Sequence, residues 1–275
     1  MARAAFLPAA AAAVAVLAWW HSRRRQKKPY TSIEAAEDPE VVGAILPDAY
    51  EGTRLATARH AFCVAHSSPL SDAVQQVADR TQKLRMPQML SSPLTVQLLQ
   101  SIIRASQATR VLEIGTYTGF TAIGMAEALP PGGTVVCLDD FSDEPDAQTV
   151  CEEAIASSAV SGRIQLRVQQ ALRGLKQLAD EGAGPFDICF IDADKENQIA
   201  YVELLDDAAL LKPGASVLVD NTLWYSRVLR PSDKHDKATA AIAEFNKHVL
   251  GGRWHVAMLP IRDGITILQR VAPAP

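Results

Sequence analysis

Apolar and polar positions change rhythm twice along this chain. Residues 4–20 form an almost unbroken apolar run, rich in alanine and closed by Trp19 and Trp20. From 41 to 106 the apolar residues recur at helical spacing: Val74, Val77 and Ala78, then Leu94, Leu98, Leu99, Ile102 and Ile103. Ser91 and Ser92 precede the second run as candidate caps, and Pro93 suits its first turn, where no backbone N–H is needed. After residue 107, short apolar runs alternate with helical stretches. Runs at 110–114, 134–138, 164–168, 186–191 and 216–219 predict strands, with helices at 121–129, 147–159, 172–180 and 197–210 between them. A fifth helix is expected at 237–250, then strands at 254–260 and 265–270.

Strands that are apolar throughout and separated by helices are buried on both faces. That pattern predicts an α/β fold with a doubly wound, mostly parallel sheet. The last two strands are joined only by residues 261–264, too few for a crossover, so they pair antiparallel. The expected organisation is a hydrophobic anchor with a basic flank at 1–28, a linker at 29–40, a helical extension at 41–106, and the α/β domain at 107–275.

The first segment is a separate object. Its apolar run ends in two tryptophans and is followed by Arg23, Arg24, Arg25, Lys27 and Lys28, as a short membrane helix with an aromatic belt would be. Positive charge on that side places the following domain in the cytosol, as a single-pass membrane protein. A mitochondrial or plastid presequence is the alternative, because no acid occurs before Glu34. A cleaved secretory signal fits less well, since the charge follows the apolar run.

Composition narrows the classes further. Of 275 residues, 48% are hydrophobic and 21% charged, enough for a sizeable core. The net charge of −4 provides no basic field for nucleic acid. Cys63, Cys137, Cys151 and Cys189 form no CxxC pair and read as buried free thiols rather than a zinc site. The spacing of His235, His248 and His255 suits no metal site either.

In open α/β sheets ligands bind beyond the carboxyl ends of the strands. The first strand runs into Glu113-Ile114-Gly115-Thr116-Tyr117-Thr118-Gly119. The two glycines allow a tight turn and close approach of a ligand, but their GxxxG spacing is not the GxGxxG of dinucleotide sites. Glu113 could meet a cationic ligand there. Asp139 and Asp140 end the second strand, where an acid suits a ribose diol in NAD enzymes and methyltransferases alike. The fourth strand ends in Asp192-Ala193-Asp194-Lys195-Glu196-Asn197 and the fifth in Asp220-Asn221-Thr222-Leu223-Trp224. As neighbours in a parallel sheet, Asp192, Asp220 and Asn221 would offer three hard oxygen ligands, suited to Mg²⁺ or Ca²⁺. Lys195 reads as a base or as a salt-bridge partner of Asp194. Trp224 reads as a pocket wall or a core anchor.

Those three motifs, followed by Leu259-Pro260-Ile261-Arg262-Asp263-Gly264, strongly resemble the cation-dependent O-methyltransferase family, which includes the caffeoyl-CoA and catechol enzymes. The resemblance covers residues 85–270. It implies a Rossmann-like sheet of seven strands with the last one antiparallel, and S-adenosylmethionine as cofactor. It assigns Ser91, Glu113, Gly115, Thr116, Thr121, Asp139, Ala171 and Asp194 to that cofactor. Asp192, Asp220 and Asn221 are assigned to a divalent cation, Mg²⁺ first with Ca²⁺ or Mn²⁺ as alternatives. Lys195 would act as general base, with Asp192 beside it, and Trp224 and Tyr225 would touch a small phenolic acceptor. Members of the family are often homodimers.

Three features depart from the family pattern. Tyr225 stands where plant caffeoyl-CoA enzymes carry a substrate-touching asparagine. The stretch from Asp140 to Pro145 is unusually acidic, and no N-terminal basic residue matches a CoA-binding group. Other functions that remain on residues alone are an NAD-dependent oxidoreductase and a membrane-tethered module without catalysis.

Overall fold

The computed structural model describes residues 59–251 and 253–270. After a helical stretch over 59–65 come α1 (Asp72–Thr81) and α2 (Pro93–Ser106). Ser92 caps α2 by accepting from the Thr95 N–H at 3.1 Å, and Pro93 occupies its first turn, as the sequence predicts. The alternation that follows is β1 (Arg110–Ile114), α3 (Phe120–Ala128), β2 (Thr134–Asp139), α4 (Asp146–Ser157), β3 (Ile164–Val168), α5 (Ala171–Asp180) and β4 (Phe186–Ile191). It continues through α6 (Gln198–Asp207), β5 (Leu211–Asp220), α7 (Lys237–His248), β6 (Trp254–Leu259) and β7 (Ile265–Arg270).

The seven strands lie in the order β3-β2-β1-β4-β5-β7-β6. All pairs are parallel except those of β7, which runs antiparallel to both β5 and β6. This is the Rossmann-like α/β sheet expected from the sequence.

Successive strand residues face opposite sides, so the sheet feeds two cores. Val111, Val135, Cys137, Ile188 and Phe190 pack under α1 to α4. Leu112, Ile114, Leu138, Cys189 and Val217 pack against α5, α6 and α7. Each such fully buried Leu or Ile contributes about 1.5–3 kcal/mol through burial alone. β1 is the sheet's switch point. Connections after it wind one way through β2 and β3, then return to β4 on its other side. A crevice opens at such a point, above the carboxyl ends of β1 and β4.

Cys137, Cys151 and Cys189 are buried free thiols, whereas Cys63 is exposed. The single-pass membrane expectation is corrected. Among the described residues no helix is long and apolar enough to cross a membrane. The longest of the labelled helices, α2, has 14 residues. At about 1.5 Å per residue it falls well short of a hydrocarbon core about 30 Å thick. Residues 4–20, on which that expectation rested, lie outside the described residues, as do the basic flank, the linker, the proposed presequence and the start of the helical extension.

Candidate active site

A cavity of about 710 Å³ opens at the carboxyl ends of the strands. Ser91, Gly115, Thr116, Thr121, Asp139 and Ala171 line it, and so do Asp192, Asp194, Lys195, Asp220, Asn221, Trp224 and Tyr225. Residues spread over more than 130 sequence positions therefore meet in one place. Of the site residues assigned from sequence, Glu113 alone is not in its walls. It lies fully buried on β1, with its Oε1 accepting from the Thr121 hydroxyl.

The floor is the turn after β1. Gly115 has φ +88°, and a Cβ there would sit 2.2 Å from the Asp192 carbonyl oxygen. Only glycine lets β1 and β4 approach this closely. The Asp192 N–H donates to the Ile114 carbonyl at 2.8 Å and the Gly115 N–H to the Leu138 carbonyl at 2.9 Å, so three strand ends converge. Asp139 accepts from the N–H groups of Thr116 and Tyr117 at 2.7 and 2.8 Å and of Phe141 at 2.8 Å. Its carboxylate is thus a brace for the turn, and it retains acceptor capacity for a ligand.

Glu113 supplies a latent charge. Burial pushes its carboxyl up to about 7, against a partly compensating hydrogen bond from Thr121. Its Oε2 and the Thr116 hydroxyl have no hydrogen-bond partner among the described residues. Unpaired polar atoms under a glycine turn suit a cationic ligand laid across it. The residues present therefore fit S-adenosylmethionine, and the cavity is large enough for it together with a small second substrate.

At the mouth of β4 two acids do different work. Asp192 accepts from the Ser91 hydroxyl at 2.9 Å through Oδ2 and faces Lys195 Nζ at 3.3 Å through Oδ1. Asp194 accepts from Asn197 Nδ2 at 2.6 Å and from the Tyr201 hydroxyl. Lys195 does not pair with Asp194. It donates to the Ala193 carbonyl at 2.8 Å and lies 5.7 Å from the centroid of the Trp224 ring. Ser91 touches the Asp192 carboxylate.

Asp220 ends β5 with only 1% of its surface exposed. Burial, then the nearby Asp192 carboxylate, push its carboxyl up to about 7, while Lys195 acts in the opposite direction. Its Oδ1 accepts from the Asn221 N–H at 2.6 Å. Two acids and a carboxamide form a hard-oxygen donor set that fits a divalent cation, with further ligands needed from water or substrate. Among the described residues no group of three His, Cys, Asp or Glu side chains is placed to hold a metal. Any cation here would therefore depend on that smaller set.

Another part of the cavity wall is built from the loop after β5. Trp224, Tyr225 and Ser226 have φ of 45°, 53° and 59°. Three successive non-glycine residues in the left-handed region need external support. The Asp263 carbonyl supplies it, accepting from Leu223 N–H at 2.7 Å and Trp224 N–H at 3.2 Å. Gly264, at φ +87°, lets Leu223 sit where a Cβ would clash at 2.6 Å.

In the sequence Arg262 falls in the short 261–264 connection between the last two strands, with no partner indicated. In the structure its guanidinium donates to the carbonyls of Leu90 and, at 3.1 Å, Gln88, tying the 261–264 turn to the loop that carries Ser91. Tyr201 and Asn197 were not singled out either. Their i+7 and i+3 spacings from Asp194, across a helix start, were the available signal. Arg262 had none, because its partners lie more than 170 residues away.

Comparison with known proteins places this geometry. The O-methyltransferase family model matches residues 64–271. Catechol O-methyltransferase domain-containing protein 1 of Mus musculus is 35% identical over 178 residues, covering 64% of this chain and 65% of the mouse protein's length. Caffeoyl-CoA O-methyltransferase of Petroselinum crispum is 30% identical over 209 residues, covering 73% of this chain and 85% of the plant protein. The crystal structure of the O-methyltransferase TomG from Streptomyces achromogenes, in complex with S-adenosylmethionine, matches with a TM-score of 0.70 at 26% identity, over 78% of this chain and 96% of that one. With the glycine turn, the cavity and the match in agreement, the chain belongs to the S-adenosylmethionine-dependent O-methyltransferase family.

Proposed function

We propose that this chain methylates one hydroxyl of a small catechol-like or caffeoyl-type acceptor in a reaction that depends on a divalent cation, Mg²⁺ before Ca²⁺ or Mn²⁺. One observation carries the reading. Asp192, Asp220, Asn221 and Lys195 share one cavity, with Lys195 Nζ 3.3 Å from Asp192 and beside the Trp224 ring. The names of the plant and mouse relatives support the acceptor class.

When bound, the cofactor supplies the methyl group, and a divalent cation supplies the charge that lowers the pKa of an aromatic hydroxyl. Asp192, Asp220 and Asn221 would hold that cation. Glu113, Gly115, Thr116, Thr121, Asp139, Ala171 and Asp194 form the cofactor side, and Ser91 orients Asp192. Lys195 is the base. The acceptor oxygen takes the methyl group, the carbon–sulfur bonding pair stays on sulfur, and the hydroxyl proton goes to the lone pair of Lys195 Nζ, which accepts it only as the neutral amine. Trp224 and Tyr225 wall the aromatic ring. Holding oxygen and methyl carbon at near-attack distance supplies much of the acceleration.

The test is methyl transfer from S-adenosylmethionine to a panel of catechols, with Mg²⁺ and with a chelator. Activity should vanish with chelator, return with Mg²⁺, and be lost in Asp220→Ala while that variant still binds cofactor. Activity indifferent to chelator and to Asp220→Ala would overturn the metal assignment.

A further inference from the structure

The charge of the cavity wall separates the two acceptor types. Asp139, Asp140, Asp143 and Glu144 line one side, and Asp192, Asp194, Asp220 and Asp263 line the other. Against these eight acids stand three basic side chains in the wall, Lys195, Arg227 and Arg262, and Arg85 behind it, which pairs with Glu144 at 3.6 Å. Burial raises the carboxyl groups of Asp220 and Asp263, yet setting both aside still leaves an acidic excess.

The three cations are also committed. Lys195 is held by Asp192 and the Ala193 carbonyl. Arg227 pairs with Asp236 at 3.0 Å and lies 5.7 Å from the centroid of the Tyr225 ring. Arg262 is spent on the carbonyls of Leu90 and Gln88. Among the described residues no lining cation is left over for a phosphate. What the mouth does offer is apolar: Trp224 and Tyr225, tilted with ring centroids 5.5 Å apart, and Met89 from the facing loop. Tyr225 is 56% exposed, so a flat body can extend along it towards solvent.

We infer that this site selects a neutral or cationic phenolic acceptor with a flat apolar body and discriminates against polyanionic acceptors such as CoA thioesters. The inference rests on the catechol-like reading above and narrows it. A low-dielectric cleft lined by one sign of charge concentrates ligands of the opposite sign and repels those of its own. A bound divalent cation and a singly positive cofactor reduce the acidic excess without reversing it around the rim.

The experiment presents one caffeoyl group in three forms, as its CoA thioester, as a neutral methyl ester, and as an amide bearing an ammonium group. kcat/KM is measured with Mg²⁺ at low and at raised ionic strength. The ester and the ammonium amide should exceed the thioester by about tenfold or more at low salt, and raised salt should narrow the gap by favouring the thioester. The double variant Asp140→Asn with Asp143→Asn removes two exposed charges; the amide oxygen at position 140 keeps an acceptor for the Ser142 N–H and hydroxyl that the Asp140 carboxylate meets at 3.1 and 2.7 Å. The variant should raise kcat/KM for the thioester by about threefold or more and leave that for the ester within about twofold. A thioester as good as the ester at low salt, or a thioester rate unmoved by the double variant, would overturn the charge argument while the catechol reading stands. No turnover of any of the three, with cofactor binding intact, would overturn both.

Discussion

Glu113→Gln should make the cofactor-free protein more stable and the cofactor complex weaker. Glu113 has no exposed surface, and only its Oε1 has a hydrogen-bond partner, the Thr121 hydroxyl. Burial moves its carboxyl from the usual 4.5 to about 7. A carboxyl raised in the folded state stabilises that state only while protonated. Its contribution is complete below 4.5 and is lost as the pH climbs through 7. The difference between the two values corresponds to about 3 kcal/mol. A glutamine at this position would keep the oxygen that meets Thr121 and carry no charge at any pH. At pH 8 the variant should therefore unfold about 3 kcal/mol later than wild type, or about 6–10 °C higher for a domain of this size. At pH 4.5 the two should coincide. Cofactor affinity moves the other way under the proposed role of Glu113, in which its carboxylate, buried beneath the glycine turn, attracts the cofactor's positive charge. A loss of about tenfold at pH 8, or about 1.4 kcal/mol, is expected by titration calorimetry. Urea unfolding of both proteins between pH 4.5 and 8 checks the first part. A stability difference that does not vary with pH would refute the reasoning, since the buried carboxyl would then not be the group that titrates.

The other predictions concern neighbouring parts of the site. Lys195→Met should lower kcat by about 10²–10⁴-fold with cofactor affinity unchanged, and part of the rate should return at high pH, where the acceptor ionises unaided. Gly115→Ala puts a Cβ 2.2 Å from the Asp192 carbonyl at φ +88°, so the β1–β4 contact must open. A stability loss of about 2 kcal/mol or more, with loss of cofactor binding, should appear in denaturant melts and calorimetry. Arg262→Gln releases the 86–91 loop from the hairpin. It should cost about 1–3 kcal/mol and raise amide exchange across that loop by mass spectrometry, with the sheet unaffected.

Much of this was written locally in the chain. β1, β3, β4 and β7 lie at their predicted residues because each is a short run of continuous or alternating apolar residues, a signal that needs no partner. β5 begins five residues earlier than expected, at Leu211, because Lys212, Pro213 and Gly214 break the apolar run while the backbone still pairs beside β4 across a register shift. The meeting of Asp192 with Asp220 also followed from sequence, since β4 and β5 are consecutive parallel strands and end at the same edge. Tertiary structure alone decided the rest. The insertion of β7 between β5 and β6, the Ser91 hydroxyl on Asp192 from 101 residues away, the Asp139 brace beneath the glycine turn, and the Arg262 tie across the mouth all join distant segments. Hydrophobic rhythm reports how each segment is buried. It carries no information on which distant donor reaches which acceptor, because that depends on how the packed layers bring the loops together.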